Sequence, residues 1–302
     1  MKPIERSAVL FLLALGGCLG GVSGCHRPPV GLYEFRTCKN VEYAKRDTGP
    51  LSMDIVVPKG VDQPRPAVLW LHGGAWAGGW RDLMKPICDF TASFGYVSAT
   101  ASYRLIPVGV TFPAPVCDAA DAVRFLRSHA EEYNIDPDRI AIGGESAGAH
   151  LALLVGLAEE LVAKDSSSEV SSAVSAIINI YGPTDMETLY RNASWINRSL
   201  VSDFIGCVPE TCPGKWVESS PINHIHSDAP PVLVLHGDRD PVVPFSQGQR
   251  FYERSRKVGA PVMIGRVKAA GHGWIAHPYR PLCQSTMPLV MRFLSQVFPE
   301  PF

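Results

Sequence analysis

The sequence IGGESAGAH, residues 142–150, decides how the rest of the chain is interpreted. It follows the strand-like segment RIA and runs into the apolar segment LALLVGLA, so it joins a predicted strand to a predicted helix. Within it, Gly144, Ser146 and Gly148 form the G-x-S-x-G pattern that can hold a serine nucleophile on a sharp strand-to-helix turn. A serine that caps the helix in a glycine turn is the alternative. Because the pattern is short, its meaning depends on the flanking sequence.

Short apolar segments that end in glycine or polar residues lie on both sides of this junction, as is typical of parallel strands covered on both faces. They are AVLWLHGG from Ala67, YVSATASY from Tyr96, RIAIGG from Arg139, AIINIYG from Ala176 and PVLVLHG from Pro231. Helical patterns begin at Asp118 and Ala147, between these segments. The alternation predicts an α/β fold with a mostly parallel, doubly wound sheet and helices on both faces. An alternating segment at 51–57 predicts an antiparallel entry strand with one buried face.

Residues 1–25 have the pattern of an export signal, since Lys2 and Arg6 precede an apolar run that is short for a membrane span. Small residues precede Cys18 and Cys25, as at a bacterial lipoprotein processing site. Lipidation at Cys25 leaves six of the eight cysteines in the mature chain, whereas lipidation at Cys18 leaves seven and an unpaired thiol. Cys25 is therefore the preferred lipid anchor and Cys18 the alternative. A cleaved signal without lipid remains open, and each case predicts an exported protein that is periplasmic, secreted or membrane-anchored.

The mature chain is interpreted as one domain. Residues 26–50 are expected to form an N-terminal linker with a possible first strand, and residues 51–302 an α/β domain. Residues 184–229 break the alternation and predict a cap-like insertion over the sheet end where such folds bind ligands, with a surface excursion as the alternative. Export makes disulfides plausible among the six remaining cysteines. Cys207 and Cys212, separated by the four residues VPET, are the one local candidate pair, with two free thiols as the alternative.

Charge and composition argue against several function classes. The chain has 28 basic and 29 acidic residues and no basic run interleaved with aromatic residues, so nucleic acid is not an expected partner. Its histidines and cysteines lack compact metal-ligand spacing, so neither a metal nor another cofactor is expected. The sequence indicates no oligomeric state.

Two loops after predicted strands contain the side chains that a serine nucleophile needs as partners. LVLHGDRDPVVP contains Asp240, the candidate orienting acid, and KAAGHGW contains His272, the candidate base. The chain order Ser146, Asp240, His272 is that of the α/β-hydrolase triad. Asp238 competes for the acid role, but it is expected to shape its turn. His277 competes for the base role but precedes a proline at the start of the last helix.

The segment WLHGGAWAGGW predicts an oxyanion hole. Its glycines let the backbone bend so that the amides of Gly74 and Ala75 point inward, where the amide of Ala147 joins them. Such donors stabilise the tetrahedral intermediate of acyl transfer. An ordinary glycine-rich turn is the structural alternative.

Three tryptophans next to these loops, Trp76, Trp80 and Trp274, are candidates for lining a substrate pocket, with ordinary packing as the alternative. His150, four residues after Ser146, is expected to be structural. Glu145 occupies the variable position of the serine motif, and no step of the expected chemistry needs it.

Several segments together resemble the α/β-hydrolase superfamily; they are HGGAW, SYRL, FPAPVCDAADAVRFLR, DPDRIAIGGESAGAHLA, YGPTD, HGDRDPVVP and GHGW. More narrowly, the chain resembles, from about residue 50 to 298, the carboxylesterase branch that includes bacterial feruloyl and acetyl-xylan esterase-like (BD-FAE-like) domains and isoprenylcysteine methylesterases. The resemblance implies the α/β-hydrolase fold. It also implies Ser146 as nucleophile with Asp240 and His272, and Gly74, Ala75 and Ala147 as oxyanion donors.

The expected function is a serine carboxylesterase that hydrolyses small or aromatic carboxylic esters, including acetyl or feruloyl esters of carbohydrates, through an acyl-enzyme. The motifs also depart from this branch, because Ala75 and Trp76 follow HGG where related lipases have HGGG. HGG-x-W is similar to arylformamidases, and the DRDPVVP loop is similar to prolyl-oligopeptidase-type peptidases. An arylformamidase, another amidase or a small peptidase is therefore the first alternative. A catalytically silent hydrolase-fold binding protein is the alternative of another class.

Overall fold

A computed structural model of the chain describes residues 33–163, 169–193, 195–276 and 281–299. The predicted export segment 1–25, with Cys18 and Cys25, and the alternative base His277 lie outside the described residues. Within the described ranges, no helix combines the length and the apolar character that a membrane span requires.

The strands form one sheet. Their bounds are β1 Phe35–Arg46, β2 Gly49–Pro58, β3 Arg65–Leu71, β4 Val97–Ala101, β5 Ile135–Glu145, β6 Ala176–Ile180, β7 Val232–Gly237 and β8 Val262–Val267. The spatial order is β1-β2-β4-β3-β5-β6-β7-β8. β2 pairs antiparallel with β1 and with β4, whereas every pair from β4 to β8 is parallel. The mostly parallel α/β sheet predicted from the short apolar runs is confirmed.

The α-helices that the structure describes follow or separate these strands. They are α1 Lys85–Ser93, α2 Ala114–Ser128, α3 Ala147–Leu157, α4 Glu159–Ala163, α5 Met186–Asn192, α6 Trp195–Ile205, α7 Pro213–Glu218, α8 Ser246–Val258 and α9 Pro281–Val297. Short 3-10 turns occur at Arg81–Met84, Ile106–Val108, Pro221–His224 and Trp274–Ala276. α2, α3 and α8 contribute to one core and α1 and α9 to another.

The central strand β3 shows why the apolar runs are continuous. All seven of its residues are buried. Leu69 and Leu71 lie in the core with α2 and α3, whereas Val68 and Trp70 lie in the core with α1 and α9. Successive side chains of a strand point to opposite faces, so both faces of β3 must be apolar when helices cover both. The layered arrangement brings the carboxyl ends of the parallel strands to one edge.

The entry strand β2 differs from the sequence prediction. Its alternating pattern predicts one buried and one solvated face, yet residues 53–58 are all buried. The polar position Asp54 is 6% exposed and pairs with Arg81, whose Nε lies 3.0 Å from Oδ1. The amide of Asn40 donates to the same oxygen at 2.8 Å. The alternation of apolar and polar residues in β2 therefore reflects a buried, hydrogen-bonded Asp54 and not a solvent-exposed face.

The segment predicted as an insertion lies between β6 and β7 and contains α5, α6, α7 and a 3-10 turn. Two of its helices have only 7 and 6 residues, which is too short to give a clear helical period in the sequence. Trp216 is 1% exposed and makes an edge contact with Tyr190 at 5.0 Å between ring centroids. The start of the segment is held to α8, since Thr184 donates its amide and hydroxyl protons to Gln247. We call residues 184–229 the cap.

The described cysteines include one close pair and free thiols. Cys207 and Cys212 in the cap lie at disulfide distance, with Cα atoms 6.3 Å apart. Cys38 and Cys88 have free thiols, so the broader expectation of disulfides does not hold for these two. Burial raises the pKa of the Cys88 thiol to about 12.

Candidate active site

Ser146 lies on a sharp turn between β5 and α3, with φ 50° and ψ −119°. Its amide donates to the carbonyl of Ile180 on the neighbouring strand at 3.0 Å. A Cβ added to Gly148 would lie 2.2 Å from the carbonyl oxygen of Leu71, and one added to Gly144 would lie 2.6 Å from the same atom. Both glycines are therefore required by the close approach of β3 to the turn. Positive φ at a serine is a local strain of the kind that functional sites store.

The side chain of Ser146 does not cap α3, because the N-cap position makes no side-chain hydrogen bond to the helix. Its Oγ instead lies 2.9 Å from Nε2 of His272. The structure therefore favours the nucleophile interpretation over the capping alternative.

His272 and Asp240 complete a hydrogen-bonded chain with the serine. Nδ1 of His272 lies 2.7 Å from Oδ2 of Asp240, whose side chain is fully buried. The other oxygen, Oδ1, accepts the amides of Val242 and Val243, each at 2.9 Å. With Nδ1–H donating to Asp240, Nε2 is left as the acceptor for the Ser146 hydroxyl, a tautomer assigned from the network. The structure thus brings the three predicted triad residues together.

The competing acid, Asp238, has different partners. Its Oδ1 accepts the amide of Ala269 at 2.7 Å, and its Oδ2 accepts from Nε of Arg266 at 3.3 Å. Asp238 thereby ties the loop after β7 to the segment that leads to His272, which is the turn-shaping role expected of it.

The predicted oxyanion loop has three successive residues with positive φ, namely Gly74 at 123°, Ala75 at 52° and Trp76 at 58°. The turn is closed by the amides of Ala77 and Gly78, which both donate to the Gly74 carbonyl at 3.0 Å. A Cβ added to Gly74 would lie 2.2 Å from the carbonyl oxygen of Gly78. The loop conformation therefore requires glycine at position 74 and imposes strain on the next two residues.

Two of the three proposed amide donors border the same pocket as Ser146. Ala75 and Ala147 both line it. Ala147 is the first residue of α3, a position at which the amide has no partner within the helix. Gly74 is not among the lining residues, and its conformation shapes the turn that places Ala75.

The pocket over Ser146 has a volume of about 40 Å³. Its lining is mainly apolar and comes from the oxyanion loop, the serine turn, the segment directly after β6, the cap and the loop after β7. The residues are Ala75, Trp76, Ser146, Ala147, Pro183, Leu189, Asn197, Leu200, Val201, Val242 and Val243. The cap therefore contacts the site, contrary to the alternative of a surface excursion.

The structure corrects two of the three predicted pocket tryptophans. Trp76 lines the pocket and stacks on Phe204 of α6 at 4.3 Å. Trp80 is 60% exposed and does not line it. Trp274 is buried in the core with α9, where it makes an edge contact with Tyr181 at 5.5 Å. Adjacency to a catalytic loop in sequence did not indicate which way these side chains point.

The cap residues of the pocket, Leu189, Asn197, Leu200 and Val201, were not identified from the sequence. Apolar residues on short helices carry no signal that separates pocket lining from core packing. Their position depends on how the cap packs over the sheet.

Within the described residues, three further histidines are buried, and none of them is hydrogen-bonded into the chain from Asp240 to Ser146. Burial lowers the pKa of His150 to about 4, and its Nε2 lies 2.8 Å from the Ser219 carbonyl oxygen. Burial also lowers the pKa values of His72 and His236. His236 holds the carbonyl of Val243 at 2.8 Å, next to the amide that binds Asp240. These histidines are neutral supports near pH 7, as expected for His150. In the described ranges, no three His, Cys, Asp or Glu side chains are grouped to hold a metal ion.

The BD-FAE family model matches residues 53–254, which is more than half of the chain. The chain belongs to the BD-FAE family. Among solved structures, this BD-FAE chain is similar to a thermophilic esterase, Est2, from Thermogutta terrifontis, with a TM-score of 0.74 and 27% identity. That match covers 89% of this chain and 94% of the other, and it supports the α/β-hydrolase fold.

Curated relatives of this BD-FAE chain are also esterases by name. Esterase LipQ of Mycobacterium tuberculosis is 32% identical over 197 residues, covering 65% of this chain and 47% of LipQ. An isoprenylcysteine alpha-carbonyl methylesterase of Arabidopsis thaliana is 26% identical over 216 residues, covering 69% of this chain and 50% of the relative. The chain thus spans about half the length of the curated relatives it matches.

Proposed function

We propose that this protein is a serine carboxylesterase that acts on small-molecule esters through an acyl-enzyme. The observation that carries the proposal is the chain of hydrogen bonds from Asp240 through His272 to Ser146, which ends at an apolar pocket. Ester hydrolysis in similar proteins, which are named esterases, supports the same chemistry.

In the first half of the reaction, Ser146 Oγ attacks the ester carbonyl while Nε2 of His272 takes its proton. Asp240 holds the imidazole in the required tautomer and stabilises the imidazolium that forms. The carbonyl oxygen becomes an oxyanion, which the amides of Ala75 and Ala147 stabilise, with Gly74 as the third candidate donor. The imidazolium then protonates the departing alcohol, and Ser146 keeps the acyl group.

In the second half, water takes the place of the alcohol. His272 removes a proton from the water, the resulting nucleophile attacks the acyl carbon, and the proton returns to Ser146 as the acid leaves. No step requires a metal or an organic cofactor.

The volume of the pocket limits the size of the acyl group that it can hold. A pocket of about 40 Å³ with Leu189 and Val201 among its lining residues fits an acetyl group better than a feruloyl group. Among the small or aromatic esters expected from the sequence, short aliphatic acyl esters are therefore the first choice.

The test combines labelling with turnover. We expect a fluorophosphonate to modify Ser146, and acetyl and butyryl esters to be hydrolysed faster than feruloyl esters. Ser146→Ala is expected to lose activity by at least about 1,000-fold. Ser128→Ala, which changes an exposed serine at the end of α2, is the matched control and should keep full activity. Unlabelled Ser146 together with an active Ser146→Ala variant would refute the mechanism.

The same assay separates the alternatives. Turnover of formyl-anilide, amide or peptide substrates without ester hydrolysis would indicate an arylformamidase, an amidase or a small peptidase with the same triad. Neither labelling nor turnover of any substrate would indicate a catalytically silent binding protein.

We also propose that the chain is exported and lipidated at Cys25, with Cys18 as the alternative site. Mass spectrometry of the mature N-terminus distinguishes a lipidated Cys25, a lipidated Cys18 and an unmodified terminus. Comparing masses with and without reduction tests the Cys207–Cys212 disulfide, which is compatible with export.

A further inference from the structure

Two buried polar side chains outside the triad lie next to its members. Glu145 directly precedes Ser146 and is 7% exposed, and Tyr181 directly follows β6 and is fully buried. The Tyr181 hydroxyl donates a hydrogen bond to Oε2 of Glu145. Burial and the nearby Glu145 raise the pKa of Tyr181 well above its usual value, so the phenol keeps its proton and acts as the donor.

The backbone fixes both residues at the place where the nucleophile turn begins. Glu145 pairs with Ile180 in the register of β5 and β6. Tyr181 has a φ of 43°, and its amide donates to the Leu235 carbonyl at 2.8 Å. A bulky residue with positive φ is a strained conformation that the surroundings must hold. In this conformation the Tyr181 hydroxyl reaches Glu145 at the end of the neighbouring strand.

The Tyr181 ring faces the catalytic histidine. Its centroid lies 4.8 Å from that of His272, with the planes tilted by 59°. The other carboxylate oxygen of Glu145, Oε1, lies close to the oxyanion loop, 3.3 Å from the position that a Cβ on Gly73 would occupy. Glu145 is thus placed between the oxyanion loop and the aromatic neighbour of His272.

The charged and titratable groups around His272 come from several elements. Asp240 binds Nδ1 directly, and Ser146 lies at Nε2. His236 of β7, kept neutral by burial, lies 3.9 Å from the Asp240 carboxylate. Tyr181 covers part of the imidazole ring, with Glu145 hydrogen-bonded behind it.

We propose that Glu145 and Tyr181 form a positioning pair that stabilises the His272 imidazolium formed during catalysis. This inference rests on the proposed function. A phenol that donates to a carboxylate has a more electron-rich ring, and such a ring attracts a neighbouring cation. The negative charge of Glu145 adds a longer-range attraction that little water screens in this buried site. The pair therefore acts through His272 and touches no reacting atom.

The test uses Glu145→Gln, which keeps a hydrogen-bond acceptor but removes the charge, and Tyr181→Phe, which keeps the ring but removes the donor. The pH profile of kcat/KM for a short acyl ester is measured for each. Because a less stabilised imidazolium loses its proton at lower pH, we expect the acid limb to move down by about 0.5–1 unit. We also expect kcat to fall roughly 10-fold with KM changed by less than about 2-fold.

Tyr43→Phe is the matched control, since it removes the buried hydroxyl that donates to the Ser102 carbonyl, and Tyr43 does not line the pocket. It should leave the acid limb where it is. Melting temperatures of all variants identify losses caused by unfolding. If kcat falls in both test variants while the acid limb stays in place, the pair is only structural and the inference is wrong.

A second readout does not depend on turnover. Titration of the His272 imidazole by NMR should show the same downward shift of its midpoint in Glu145→Gln. An unchanged midpoint would overturn the inference even if the protein is an esterase. A shifted midpoint in a protein that hydrolyses no ester would refute the proposed function and leave the coupling between the pair and His272 in place.

Discussion

At the scale of single residues, Asp238 and Asp240 are two residues apart and have different roles. Asp240 is buried, binds His272, and is itself fixed by two backbone amides. Asp238 binds the loop that carries His272 and an exposed arginine. Variants at these two positions therefore separate the effect of orienting a base from the effect of stabilising a turn.

We expect Asp240→Asn to lower kcat by about 10,000-fold, because an amide in that place favours the wrong tautomer of His272. Steady-state kinetics with a short acyl ester measures the loss. Asp238→Asn is the control, and its loss should stay under about 10-fold because the new side chain can still accept the Ala269 amide. Equal losses in the two variants would contradict the assignment of Asp240 as the orienting acid.

At the scale of elements, the sheet and the cap have separate tasks. The proposed triad residues lie on the loops after β5, β7 and β8, whereas α5 and α6 of the cap supply one wall of the pocket. Trp76 links the two, since it borders the pocket and stacks on Phe204 of α6. The cap is thus expected to control which acyl group fits.

Leu200→Ala tests this control. Leu200 is half-buried on α6 and lines the pocket, so removing its side chain should enlarge the pocket with little loss of stability. We expect the ratio of kcat/KM for hexanoyl esters to kcat/KM for acetyl esters to rise by about 10-fold. That is the order of discrimination that one or two buried methylene groups provide. Leu161→Ala, a half-buried leucine on α4 away from the pocket, should leave the ratio unchanged. An unchanged ratio in Leu200→Ala would place acyl selection elsewhere.

At the scale of the whole molecule, buried histidines link folding to pH. His150 has a pKa of about 4 in the folded protein, because it is buried, against about 6.5 when unfolded. Below pH 6.5 the unfolded chain gains a proton that the folded chain does not. Stability from this residue is therefore full above pH 6.5 and is lost as the pH falls towards 4.

We expect this one residue to account for on the order of 3 kcal/mol of the drop in unfolding free energy between pH 6.5 and 4. His150→Gln should be less stable than the native protein at pH 7 but should lose less on acidification. Urea unfolding at several pH values measures both slopes. The exposed His226→Gln is the control and should follow the native slope. Parallel slopes for all three proteins would contradict the prediction.

The sequence predicted the sheet for a physical reason, and it placed the three candidate triad residues on loops that the structure brings together. Parallel strands buried on both faces must be continuous apolar runs, and each triad loop follows such a run with glycine or aspartate at a fixed place. The direction in which each tryptophan side chain of these loops points was not predictable from the sequence. Three positive φ values carry Trp76 inward, while Trp80, four residues later, emerges into solvent. Trp274 follows His272 by two residues, yet it packs into the core with α9.

Glu145 shows a different limit of the sequence. Its position between Gly144 and Ser146 marks it as variable in the motif, and its use depends on Tyr181, which is 36 residues away in the chain. The link exists only because β5 and β6 are neighbours and Tyr181 has a strained backbone. Contacts that depend on tertiary packing in this way leave no recognisable pattern in the local sequence.

The place where the cap joins the sheet has a consequence for how such a protein can diversify. The cap leaves after β6 and returns before β7, whereas Ser146, Asp240 and His272 lie on turns after β5, β7 and β8. The cap residues that line the pocket are Leu189, Asn197, Leu200 and Val201. A mutant library confined to those four positions spares Phe204 and its stack on Trp76 of the oxyanion loop, so we expect it to sample new substrate ranges and to be the starting point for laboratory evolution.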